Sequence, residues 1–174
     1  MGKRRDYQAD FFVRRGNRKR LRHLLGKHTE LRTSETAMLT FIAIWHNRGL
    51  LRWLLERGVS PDGRMGHQGN TPLMQAAADG DLFVMKLLLQ FGADPNALNF
   101  ASENPLGFAV TWRQAEAISL LVAAGADVNN TDDSGPERTQ LDIAERSQWT
   151  EGVQILLRLG AKRYAELQQA SDNP

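Results

Sequence analysis

Histidine, cysteine and paired carboxylates carry most metal binding and nucleophilic chemistry, and this 174-residue chain holds few of them at useful spacing. There is no cysteine, which removes disulfides, thiolate metal sites and a cysteine nucleophile. The four histidines are His23, His28, His46 and His67, and none stands at recognised ligand spacing from another histidine or a carboxylate. No metal and no cofactor is expected. Neither a G-x-S-x-G nucleophile turn nor a phosphate-binding G-x-x-x-x-G-K-[ST] loop occurs. Gly63, Gly66 and Gly69 form a G-x-x-G-x-x-G run, but it lies between helical units rather than between a strand and a helix, so it reads as a finger. The carboxylates Glu30, Asp94, Asp127 and Glu137 are dispersed, leaving no pair for acid–base work. Asn129-Asn130-Thr131 fits a glycosylation acceptor, but no secretory leader is read at the N-terminus, and the match is taken as coincidence. The chain is therefore expected not to be an enzyme. Its aromatic and charged side chains are read as recognition groups.

The elements that would position such groups come from a repeat. Gly69 to Asn96 and Ser102 to Asn129 align without a gap. Pro72 and Pro105, Leu73 and Leu106, Ala76 and Ala109, and Gly92 and Gly125 are all separated by the same interval. Further units flank these two, because Gly58 precedes Gly92, and Gly160 follows Gly125, by only slightly more than that interval. Thr71 fits a helix cap, with Pro72 at the first helical position, where its missing N–H costs nothing. Ala76 and Ala77 permit close helix approach, and Gly80 ends the first helix. Val84, Leu87 and Leu88 recur at helical spacing and face inward, and Gly92 ends the second helix in a left-handed conformation. Each unit is thus helix, turn, helix and projecting loop, and stacked neighbours bury what one pair cannot.

These residues resemble the ankyrin repeat, whose T-P-L-x-x-A helix start and L-L-x-x-G-A-D helix end are both present. The interval between the two best units also matches that family's period of about 33 residues. The resemblance implies an all-α solenoid of stacked helix pairs with projecting turns. The expected organisation is one domain: a basic capping helix pair over 1–33, repeats over 34–68, 69–101 and 102–136, and a C-terminal capping repeat over 137–170. Family members bind partners through the concave face of the first helices and through the loop tips. Carried over by position, the water-facing residues before the inter-helix turn are Ile44 and Trp45, Ala78 and Asp79, Thr111 and Trp112, and Arg146 and Ser147, with Arg14 and Arg15 in the first unit. The loop tips add Arg64, Met65, His67 and Gln68, then Leu98, Phe100 and Glu103. Trp45 and Trp112 are either binding hot spots or partial core beneath the loops. Trp53 falls in an inward leucine stripe and is expected in the core, and Trp149 begins a second helix without a clear assignment.

Charge separates the two ends. Residues 1–35 hold eleven Lys/Arg against four Asp/Glu, and the remainder holds eleven against sixteen. This asymmetry raises a second function, nucleic-acid binding through residues 3–32 with Phe11 and Phe12, although those rings also fit a capping helix. The acidic loop with Asp132, Asp133 and Glu137 would face a basic partner or water. The longest apolar run, Ala37 to Trp45, is less than half the roughly 20 residues that a membrane span needs. The expectation is a cytoplasmic monomer that binds a protein partner, not a membrane, as a scaffold or as an inhibitor of the immunity type found among small stand-alone bacterial chains, with nucleic acid as the alternative.

Overall fold

The computed structural model describes residues 48–131 and 138–172. The expected N-terminal pair, Ile44, Trp45 and the acidic loop 132–137 lie outside the described residues. Within the described residues the helices run in order: α1 Arg48–Glu56, α2 Pro72–Asp79, α3 Leu82–Gln90, α4 Pro105–Thr111, α5 Ala115–Ala123, α6 Gln140–Arg146, α7 Thr150–Arg158 and α8 Tyr164–Asp172. Among the described residues there is no named strand, only isolated antiparallel bridges at Met65–Asn70 and Thr131–Thr139. The architecture is an all-α repeat solenoid. The pairs α2/α3, α4/α5 and α6/α7 are complete units, α1 is the second helix of the unit before them, and α8 closes the end.

Each first helix starts for the same reason. Thr71, Asn104 and Thr139 sit in extended backbone and accept a hydrogen bond from the amide three residues on, satisfying a donor that the helix start leaves free. Pro72 and Pro105 follow at the first helical position. Leu73, Leu106 and Leu141 are fully buried, and the alanines Ala76, Ala109 and Ala144 beside them let the units close together. Val84, Leu88, Ile118, Leu121 and Leu156 supply the matching faces of the second helices. Each such side chain contributes about 1.5–3 kcal/mol by leaving water. The second helices end where Gly58, Gly92, Gly125 and Gly160 take positive φ between 81° and 96°, a conformation a Cβ disfavours.

The turns after these glycines are tied unit to unit. Asn96 Oδ1 accepts from Asp127 N at 2.8 Å, while its Nδ2 donates to the Gly125 carbonyl at 2.9 Å. Asn129 repeats both bonds, to Lys162 N and the Gly160 carbonyl. At the first rung Asp62 stands instead, and both its oxygens accept from Asp94 N. Burial pushes the Asp62 carboxyl above its ordinary 3.8, and the nearby Asp94 charge adds to the rise, against the lowering effects of the Asp94 amide and Arg64.

At the far end α8 is held by polar contacts. Asp142 Oδ2 accepts from Thr139 N at 2.8 Å and from Tyr164 N at 3.0 Å. Burial opposes ionisation there, but these amides, the Thr139 hydroxyl and Arg163 outweigh it and hold the carboxyl below 3.8. Arg163 grips Glu145 with two nitrogens, at 2.5 and 3.1 Å, and also reaches Glu166.

Two positions differ from expectation. The repeat position places Ala78 in water, but it is buried, because Gln114 crosses from the next unit and donates to its carbonyl at 3.0 Å. That crossing side chain also occupies the space a Cβ on Gly80 would need. Trp53 is half-buried at the margin of the core rather than within it, with the Arg57 guanidinium 4.6 Å above its ring. Trp149 is buried, its ring lying against Gly152.

Candidate functional site

The projecting fingers are built from short backbone pairings. Met65 and Asn70 exchange N–H···O bonds at 2.9 and 3.0 Å, which makes Gly66-His67-Gln68-Gly69 a hairpin tip. The glycine run is therefore a turn. The next finger docks on the first: Phe100 N donates to the Gln68 carbonyl at 2.8 Å, and Asn99 Nδ2 donates to Asn70 Oδ1 at 2.7 Å. The Phe100 ring lies over Gly69, so close that a Cβ there would come within 2.7 Å of it. Arg64 stands 5.6 Å from the ring centroid, within cation–π range. Phe100 nonetheless remains 70% exposed. Arg64, Gln68 and Phe100 thus form one apolar-and-cationic tip, with the exposed His67 at its end.

Behind the fingers, the first helices present a second group. Trp112 follows the last turn of α4, its N–H bonded to the Phe108 carbonyl, and its side chain is 61% exposed. The next residue, Arg113, adopts φ 57° and donates to the Ser147 carbonyl of the neighbouring unit at 2.9 Å. That strained turn fixes the direction in which Trp112 leaves the helix. Trp112 and Thr111 border a hollow of about 70 Å³ between α4 and α6, which Ser102, Glu103, Phe108 and Ile143 also line. Glu103 accepts from Asn99 Nδ2 at 2.9 Å, which ties this hollow to the finger.

The expected site residues therefore fall into two clusters and several isolated positions. Arg64, Gln68 and Phe100 come together at the fingers, and Glu103, Thr111 and Trp112 around the hollow. Asp79 is exposed at the end of α2, accepting from Gln75 Nε2 at 3.2 Å. Arg146 is exposed at the end of α6 and does not line the hollow. Ile44 and Trp45 lie outside the described residues. Sequence reasoning missed Gly107 and Gln140, which also line the hollow. A signal existed for both. Gln140 stands where Pro72 and Pro105 stand in their units, and Gly107 stands where Met74 and Asp142 stand.

The volume and chemistry of this face argue for recognition. Sites for drug-sized small molecules enclose about 300–1,000 Å³, and the hollow is well below that range. Among the described residues no group of three His, Cys, Asp or Glu side chains could hold a metal ion, and no helix is long and apolar enough to cross a membrane.

An array of helix pairs with linked fingers and a shallow, aromatic-bordered face belongs to the class of repeat proteins that bind through an extended surface. The family described as ankyrin repeats (3 copies) matches residues 11–99 and 39–132, and the chain belongs to it. Ankyrin repeats are generally protein–protein interaction modules. The chain is 37% identical over 99 residues to the human transient receptor potential cation channel subfamily A member 1, covering 56% of this chain and 9% of that one. It is 35% identical over 98 residues to mouse protein phosphatase 1 regulatory subunit 12A, covering 56% and 9%. It is 31% identical over 121 residues to a putative ankyrin repeat protein of fowlpox virus, covering 68% and 28%. The chain thus spans less than a third of the length of each of these relatives.

Proposed function

We propose that the chain is a non-catalytic module that holds a protein partner against the concave face around Trp112 and the finger tip at Phe100. The observation that carries this reading is the 61% exposure of Trp112 beside a hollow that neighbouring side chains leave unfilled. An indole left in water forgoes about 1.5–3 kcal/mol of burial, and large aromatics are the side chains that most often dominate protein interfaces. The lack of cysteine fits work in the reducing cytoplasm, with the partner bound to a single copy of the chain. One relative is by its name a regulatory subunit of a phosphatase. That supports regulation of the partner, by inhibition or by scaffolding, as the form this binding takes.

The test is capture from source-cell lysate on immobilised wild-type chain and on Trp112→Ala, before and after nuclease. A protein held by wild type, lost by the variant and indifferent to nuclease is the expected result. Capture that disappears with nuclease or modest salt, whatever stands at position 112, would transfer the function to nucleic acid and the basic N-terminal segment.

A further inference from the structure

Asn99 is 5% exposed and so presents almost nothing to a partner, yet its side chain reaches both clusters of the candidate site. Its Oδ1 accepts from Ala101 N and from Glu103 N, each at 2.9 Å. Those two backbone donors fix which way the amide points, so its nitrogen must face acceptors. Nδ2 donates to Asn70 Oδ1 at 2.7 Å and to Glu103 Oε2 at 2.9 Å.

The first tie closes the fingers. Asn99 holds Asn70, the Phe100 amide donates to the Gln68 carbonyl at 2.8 Å, and the Phe100 ring covers Gly69 between them. The second tie aims Glu103. Asn99 N also donates to the Glu103 carbonyl at 2.9 Å, and Ser102 takes φ 59° inside that loop. The loop thereby leaves Ser102 and Glu103 at the edge of the hollow beside Trp112. Both ties need an amide. An aspartate would keep the two backbone acceptances, lose both donations and set its charge against the Glu103 carboxylate. The matching position of the preceding unit is Gly66, so the repeat itself does not demand a side chain there.

We propose that Asn99 is a positioning residue for partner binding, a reading that rests on the protein-binding function above. Its amide joins the finger tip at Phe100 and the rim at Glu103 and Trp112 into one surface. A surface ordered beforehand loses less freedom when the partner arrives.

The experiment is a cycle in the full chain: wild type, Asn99→Asp, Glu103→Gln and both together. In the double variant the glutamine amide can donate to the new carboxylate, and the Asn70 amide can turn to do the same, so the ties are remade with donor and acceptor exchanged. The first readout is the NMR shift of the Gly69 Hα protons, which lie under the Phe100 ring. Asn99→Asp should move it towards its ring-free value, and the double variant should bring it back. The second is the protein captured from source-cell lysate that Trp112→Ala loses. Against wild type, Asn99→Asp should lower it about tenfold, as loss of one charge-assisted bond would. Against Glu103→Gln, adding Asn99→Asp should change it by less than about twofold. Should Asn99→Asp fail to fold, Asn70→Ala removes only the tie between fingers, and it should move both readouts in the same direction.

Capture unchanged by Asn99→Asp, equal loss in both backgrounds, or a Gly69 shift that stays in place while capture falls would overturn the proposal. The binding function fails separately. If wild type holds no Trp112-dependent protein, the protein-binding reading falls and the role of Asn99 in it falls too. A Trp112-dependent protein held equally by all the chains of the cycle sinks only the role of Asn99.

Discussion

At the scale of single residues, Trp112 and Leu88 are both apolar side chains of the array and have opposite duties. Leu88 is fully buried in the stack, whereas Trp112 is mostly in water and is steered by the left-handed turn at Arg113. Trp112→Ala should therefore change stability by no more than about 0.5 kcal/mol, the range of surface substitutions, while removing partner capture. Thermal melting of the variant checks the first half, and a loss of several kcal/mol would make Trp112 a structural residue. The sequence told Trp112 from Trp53 only by repeat position. It could not place Trp149, because the ring's resting place, the bare face of Gly152, depends on a backbone approach that no local pattern announces.

At the scale of elements, the helix starts and ends were legible, since caps, prolines and glycines act locally. The contacts between turns were less so. Asp62 occupies a rung where its counterparts Asn96 and Asn129 both accept and donate, and a carboxylate cannot donate. Asp62→Asn should add the missing bond to the Gly92 carbonyl and raise stability by about 1 kcal/mol at neutral pH. Because folding raises the Asp62 pKa, the native state binds this proton more readily than the unfolded chain. The ionised form's penalty is therefore relieved as pH falls through the raised value, and the asparagine variant should lack that dependence in pH-stepped denaturant melts. Asp142 has the opposite sign. Its carboxylate is favoured by folding, so its contribution is complete above 3.8 and is lost as pH falls through the lowered native value. Asp142→Ala should cost about 1–2 kcal/mol at pH 7 through the lost cap, first loosening α8, and its gap from wild type should close in acid. Circular dichroism melts across pH test both halves.

At the scale of the whole molecule, stability is a sum over units and their interfaces. An uncompensated charge at the centre of an interface cannot be absorbed locally. Leu73→Asp or Leu88→Asp should therefore abolish the cooperative melt, because each places an unpaired carboxylate in the stack. The constant interval between matching prolines, leucines and glycines was enough to foresee the array, because every unit meets the same packing demand. The candidate face was marked residue by residue in the sequence but not as a shape. Glu103, Thr111 and Trp112 were marked from loop and helix-end positions, while the hollow they border is also lined by Gly107 and Gln140, which no motif singled out.

The most direct test of the central claim is site-specific photocrosslinking in source-cell lysate. Benzoylphenylalanine would replace Thr111 on the proposed face and, in a second chain, the exposed Gln154 on the second helix α7. The account predicts a discrete protein adduct from position 111 that survives nuclease, and none from position 154. An adduct from position 154 alone, or a nuclease-sensitive adduct from position 111, would contradict it.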